Sequence, residues 1–176
     1  MDKRIERKAY LDQLAMWREE EMIKVVTGVR RCGKSVLLEL YIEKLQSEGI
    51  PDEQIIFINL DDDDYSELLD YKKLHAYVKD RMCENKWTYV FIDEIQNCPD
   101  YERAVSSLYL RKNIDIYITG SNAHMLSGEL ATRLTARYIE IDMLPFSFTE
   151  YSEAVPTADK RERFKQYINM GAFPFS

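Results

Sequence analysis

Lys34 and Ser35 close the string Gly28-Val29-Arg30-Arg31-Cys32-Gly33-Lys34-Ser35, which is G-x-x-x-x-G-K-S. Those residue types at that spacing can hold the phosphates of a nucleotide. Glycines at positions 28 and 33 let the backbone wrap closely around anionic oxygens. The amides that open the next helix point at the anion, and the helix dipole adds to them. The candidate nucleotide-binding residues are Gly28, Val29, Arg30, Arg31, Cys32, Gly33, Lys34, Ser35 and Val36. Lys34 is expected to reach the β- and γ-phosphates and the Ser35 hydroxyl to sit on Mg2+. Arg30 and Arg31 are less suited to touch phosphate with their side chains, because such a loop acts mainly through backbone amides. Cys32, flanked by Arg31 and Lys34 at a helix start, is expected to carry a lowered thiol pKa, to react with alkylating agents, and to be protected by bound nucleotide.

A second candidate pair is Asp93-Glu94, which ends the apolar run Tyr89-Val90-Phe91-Ile92. An acid at a strand end can hold Mg2+ beside a phosphate loop. The next acid can orient and deprotonate a water for attack on the γ-phosphate. Ser121-Asn122 ends another apolar run, and Asn122 there can hydrogen-bond the attacking water or the γ-phosphate; a simple Gly120-Ser121-Asn122 turn is the alternative. Arg133 and Arg137 lie about one helical turn apart. Either can neutralise charge developing on the γ-oxygens, within the chain or on a neighbouring subunit. The alternative is surface pairing with Glu129 or Glu140. Asp61-Asp62-Asp63-Asp64 reads as a solvated loop, and His75 and His124 are assigned no role.

These groups need a scaffold of alternating strands and helices. Apolar runs at 23–26, 55–60, 87–92 and 114–118 read as buried strands, and 138–143 alternates apolar with acidic residues, which suits a sheet edge. Helical spacing follows the phosphate loop, with Leu37, Leu38, Tyr41 and Leu45 inward, and Gly49 is placed to cap that helix before Pro51. Further helices are expected over 65–86, with Leu68, Leu69 and Leu74 inward, over 101–112, with Ala104, Leu108 and Leu110 inward, and over 124–136 and 158–170. An amino-terminal helix within residues 1–20 is expected to be anchored by Trp17. Strands separated by helices of this length mean βαβ units, a parallel sheet and helices on both faces.

The chain has 176 residues, a net charge of −7, and three cysteines at positions 32, 83 and 98 without metal-ligand spacing. The overall charge does not indicate a nucleic-acid binder. No apolar run reaches the roughly 20 residues of a membrane span. Free thiols and an amino terminus without the apolar core of a signal peptide point to the cytoplasm.

The ordered set Val25 to Ser35, Phe91-Ile92-Asp93-Glu94-Ile95-Gln96-Asn97, Ile118 to Asn122 and Arg133-Leu134-Thr135-Ala136-Arg137 resembles the AAA-type P-loop ATPases of bacteria and archaea, the archaeal-ATPase-like group. Members of that group often carry an uncharacterised C-terminal domain. The resemblance implies an α/β, three-layer P-loop NTPase fold with a mainly parallel sheet of about five strands, and an extra strand between the Gly28 strand and the Asp93 strand. It implies ATP and Mg2+ as ligands, Walker A at Lys34 and Ser35, and Walker B at Asp93, with Glu94 as base and Asn122 at the sensor position. Residues 1–20 are then a helix packed on the core, 21–150 the ATPase core, and 151–176 the start of a C-terminal extension that continues beyond this chain. The sequence departs from its relatives at Ala136, where glycine is common. The expected activity is hydrolysis of ATP to ADP and phosphate, driving or gating an attached domain, with self-association possible. A slow nucleotide-dependent switch and a P-loop kinase are the other readings. Glu94 beside Asp93 argues against the kinase, and no Asn-Lys-x-Asp string is present to read guanine.

Overall fold

A computed structural model describes residues 5–121, 134, 137–154 and 159–170. Five strands form one sheet: β1 (Ile23–Gly28), β2 (Ile55–Asn59), β3 (Thr88–Asp93), β4 (Ile114–Thr119) and β5 (Tyr138–Met143). Their order is β2-β3-β4-β1-β5, and every neighbouring pair is parallel. β4 is therefore the extra strand between β1 and β3. β5 lies at the edge beside β1, and its alternating burial follows from having one neighbour.

Period-2 alternation divides the core into two. Ile23 and Val25 of β1, Val90 and Ile92 of β3, and Ile114, Ile116 and Ile118 of β4 share one core with α3 (Tyr71–Arg81) and α4 (Tyr101–Tyr109). Val26, Tyr89, Phe91, Tyr117, Ile141 and Met143 share the other with α1 (Lys8–Met16) and α2 (Lys34–Ser47). The result is three layers, with helices on both faces. α5 (Phe148–Ala154) and α6 (Lys160–Met170) pack against each other through edge contacts of Phe148 with Phe164 and Tyr167. The sequence reading did not anticipate α5.

Local chemistry sets the ends of the elements. α2 stops in a paired turn: the Gly49 amide donates to the Gln46 carbonyl and the Ile50 amide to the Leu45 carbonyl, each at 3.0 Å, with Gly49 at φ +94°. Asp70 caps α3 by accepting from the amides of Lys72 and Lys73. The run Asp61 to Asp64 is exposed, as a solvated loop should be.

Three apolar positions differ from expectation. Leu110 is 72% exposed because α4 ends one residue earlier, at Tyr109. Leu69 is exposed because a 3-10 turn over Asp63–Leu69 replaces α-helical spacing. Trp17 follows the last residue of α1 and is exposed, so Leu11 and Leu14 anchor that helix.

Lys24 is the one charged residue in β1 and is fully buried. It pairs with buried Asp115 across β4, and Asp115 also accepts from the Tyr117 hydroxyl and the Glu19 amide, each at 2.8 Å. Burial pushes the Asp115 carboxyl up and the Lys24 ammonium down. Three donors to one carboxylate make this pair tolerable in the core.

A second ion pair ties the amino-terminal segment to the chain after β5. Arg7 is buried and grips Glu150 with two contacts, at 2.8 and 3.2 Å, while donating to the Leu144 carbonyl at 2.6 Å. Burial alone would push the Glu150 carboxyl up; Arg7 together with the amide and hydroxyl of Ser147 outweighs it and holds the carboxyl below its ordinary value. A lowered native pKa gives stability that is present above the unfolded value and lost as pH falls through the native one. Thermal melts of the wild type should therefore lose stability on the acid side of the ordinary glutamate range, and Glu150→Gln should flatten that part of the profile. An unchanged acid limb in the variant would show that Glu150 contributes nothing to it.

Candidate nucleotide site

The site lies where the carboxyl ends of β1, β3 and β4 meet the amino end of α2. Gly28 ends β1 at φ +153° and Gly33 precedes α2 at φ +97°. A Cβ on Gly28 would run into the Met143 carbonyl oxygen and the Cys32 sulfur. Backbone conformation and space thus both require glycine at that position. Arg31 also adopts positive φ, at +68°, and with Gly33 it turns the loop back on itself. Val29, Arg30 and Arg31 are exposed, and Ser35 and Val36 are half-buried in the first turn of α2. Loop amides followed by a helix start make a concavity suited to an anion.

Lys34 is 3% exposed. Its Nζ donates to the carbonyls of Gly28 at 3.3 Å and Val29 at 3.4 Å and stands 3.9 Å from Glu94 Oε1. The ammonium is held at the loop, beside the acid that directly follows β3. Asp93 is 1% exposed, on the same sheet face as Phe91 and α2. Glu94 is half-buried and has left-handed backbone, φ +51°. A non-glycine residue there is strained, and such strain clusters at functional positions.

Thr119 holds both acids, and the sequence reading missed it. Its hydroxyl donates to Asp93 Oδ1 and accepts from the Glu94 amide, at 3.0 Å. The missing signal was register: Ile118 of β4 stands opposite Ile92 of β3, so Thr119 comes level with Asp93 and alternation turns both to the same face. The Gly120 amide bonds the Val26 carbonyl at 3.2 Å, which fixes the end of β4 to β1. Gln96 Nε2 donates to Glu94 Oε2.

Cys32 corrects an expectation. It is fully buried and packs under the loop with Val26, Leu37 and Met143. Burial raises its thiol pKa, against the lowering effects of Lys34 and Arg7. Iodoacetamide should label Cys83, which is partly exposed, ahead of Cys32 and Cys98 in the folded protein, as peptide mapping would read. Rapid labelling of Cys32 would contradict its burial.

Arg137 is placed away from the loop. It directly precedes β5, and its carbonyl accepts from Ile23 at the amino end of β1. Its guanidinium lies 5.5 Å from the centroid of the Tyr109 ring. Five strand steps, roughly 17 Å, separate that end of the sheet from Gly28. Arg137 does not reach this chain's own phosphate loop. Asn122 and Arg133 lie outside the described residues, as does His124. His75 sits in α3 with its Nε2 3.0 Å from the Ser107 hydroxyl, far from this chemistry. A cleft of about 460 Å³, lined by Glu19, Ile23, Tyr109 and Asn113 among others, opens at the amino ends of the strands, and none of the described candidate residues lines it.

The donor set fits a magnesium nucleotide better than a protein-only metal centre. Among the described residues no group of three or more His, Cys, Asp or Glu side chains could hold a metal ion. Mg2+ is commonly bound by one or two carboxylates together with substrate phosphates, and buried Asp93 is one carboxylate at this end of the sheet.

Fold and loop together define an α/β domain of the P-loop type. The sequence profile of an AAA domain family matches residues 20–152, and the chain belongs to that family. An uncharacterized protein of Haemophilus influenzae is 40% identical over 176 residues, covering 97% of this chain and 44% of its own length. An uncharacterized protein of Methanocaldococcus jannaschii is 31% identical over 163 residues, covering 86% of this chain and 35% of its own. The chain thus spans less than half the length of these relatives. Among solved structures, the Walker-type ATPase of Pyrococcus abyssi superposes with a TM-score of 0.67 at 16% identity, covering 97% of this chain and 65% of that one. The Orc1 protein of Aeropyrum pernix, solved with DNA, gives 0.61 at 12% identity, covering 94% and 51%. At such identities the likeness is one of fold. Among the described residues no helix is long and apolar enough to cross a membrane.

Proposed function

We propose that this domain binds ATP with Mg2+ and hydrolyses it to ADP and phosphate. The observation that supports this most is the placing of Lys34 Nζ 3.9 Å from Glu94 Oε1, with buried Asp93 next in sequence and the loop amides around them. A cation for the phosphates and a base for water then share one small volume. The loop amides and Lys34 hold the β- and γ-phosphates. Asp93 and Ser35 would hold Mg2+, which when bound would neutralise charge on the β- and γ-oxygens. Glu94 takes one proton from a water whose oxygen attacks the γ-phosphorus. The bond from that phosphorus to the β–γ bridging oxygen breaks, and its electron pair leaves with ADP. Thr119 keeps the two acids in register for this step. Adenine is preferred on family grounds.

Asn122 is proposed to contact the attacking water or γ-phosphate. Arg133 is proposed to neutralise charge there, and Arg137 could do so only on a neighbouring subunit. The greater length of the relatives supports a further domain that hydrolysis drives or gates, and the cytoplasm is the proposed compartment. The test is steady-state phosphate release from MgATP at increasing protein concentration. A rate per subunit that rises with concentration means that subunits complete each other's sites. A flat, Glu94-dependent rate means that each chain holds a complete site. Tight binding without turnover favours the slow switch, and absence of binding overturns the assignment.

A further inference from the structure

Gln96 stands two residues beyond the acid pair, in the 3-10 turn Ile95–Asn97. Its amide nitrogen donates to Glu94 Oε2. Its amide oxygen, Oε1, is buried and has no hydrogen-bond partner among the described residues. The orientation of the amide is fixed by chemistry, because turning it over would set a carbonyl oxygen against a carboxylate. A buried acceptor without a donor is costly, and a catalytic partner that arrives with substrate is one physical account of such a group. The same planar group therefore steers the Glu94 carboxylate with one end and offers a lone pair beside it with the other.

We propose that Gln96 is a positioning residue for the attacking water: its N–H holds the Glu94 carboxylate in place, and its Oε1 accepts the hydrogen that Glu94 does not remove. One water hydrogen passes to Glu94, the other stays bonded to the oxygen and rests on Gln96. The free lone pair of that oxygen is then aimed at the γ-phosphorus, and the ADP bridging oxygen leaves with its electron pair as above. The neighbouring ammonium of Lys34, 3.9 Å from the other carboxylate oxygen, steadies Glu94 from its opposite side. This inference rests on the hydrolase reading. It adds that aiming the water is a separate task, carried by a residue that touches no phosphate.

Gln96→Met keeps the approximate size of the side chain and removes both the hydrogen bond to Glu94 and the acceptor oxygen. It is expected to lower kcat by roughly 10- to 100-fold, the scale of a misplaced reacting group. The Kd for MgATP in calorimetry should change by less than about 3-fold, since the residue makes no ground-state contact with nucleotide. In the Glu94→Gln background the same change should lower the residual rate by less than about 2-fold, because the two residues act as a unit. A merely structural residue would instead reduce binding and turnover together and would add its loss to that of Glu94→Gln. If Gln96→Met does not fold, Gln96→Glu keeps the shape but sets like charge against Glu94, and it must also lower kcat with Kd retained. Wild-type kcat in a folded variant, loss of binding in parallel, or additivity in the double mutant overturns the inference while leaving hydrolysis standing. Absence of Glu94-dependent turnover in the unmutated protein overturns the hydrolase reading, and this inference with it.

Discussion

Lys34→Ala should leave a folded domain that no longer binds nucleotide tightly. The Lys34 ammonium is 3% exposed and is satisfied by two loop carbonyls, at 3.3 and 3.4 Å, and by Glu94 at 3.9 Å. It is thus already desolvated and aimed before a ligand arrives, so little ordering is left for binding to impose. Its removal takes away charge-assisted contacts to the β- and γ-phosphates, each worth about 1.5–3 kcal/mol, and affinity for MgATP should fall at least roughly 10- to 100-fold. Calorimetry with MgATP reads the loss directly. The substitution also removes the cation nearest Glu94, so a circular-dichroism melt must accompany it to show that the fold survives. Undiminished affinity in a folded variant would mean that the loop is not the phosphate site.

Glu94→Gln should give the opposite pattern, with binding retained and hydrolysis lost. The side chain keeps its shape, and its backbone remains held by Thr119 through the 3.0 Å bond from the Glu94 amide. Only the proton acceptor is gone. General-base loss of this kind costs roughly 10²- to 10⁴-fold in rate. A single-turnover assay should show ATP bound and uncleaved, while the Kd stays close to that of the parent. The neutral side chain also no longer faces Lys34 as an opposite charge, so binding should tighten slightly as the ammonium is released toward the phosphates. Turnover at the parental rate would remove Glu94 from the mechanism. Taken together, the two variants separate holding the phosphates from activating water, which lie on neighbouring residues of one cleft.

Much of this site was legible in the sequence because it is local. A strand, a tight loop with glycine at both ends and a helix are contiguous in the chain, and Lys34 and Ser35 follow by position alone. Asp93-Glu94 was legible for a similar reason, since an apolar run ending in acids marks the carboxyl end of a buried strand. The edge character of β5 was also readable, from the alternation of Tyr138 to Met143. Where the sequence left alternatives open or pointed elsewhere, the outcome depended on what lay across the fold. Cys32 has basic neighbours in sequence, but its sulfur turns inward under the loop, and burial outweighs those charges. Arg137 follows Arg133 closely in sequence, yet β5 runs parallel to β1, so Arg137 starts at the far end of the sheet from Gly28.

The sequence by itself determined the phosphate loop, the acid pair, the alternation of strands and helices, and hence an α/β domain built around an anion site. Each of these is written in contiguous residues, through backbone freedom at glycine and through the 2-fold and 3.6-fold periods of buried side chains. A strand between β1 and β3 was already implied by the family resemblance; the tertiary structure alone decided that Thr119 of that strand grips both acids, that Lys24 meets Asp115 across the sheet, and that Gln96 keeps one buried oxygen beside Glu94. The physical reason is that side-chain partnership across strands depends on strand order and register. These are settled by packing of the whole chain, and no local run of residues encodes them.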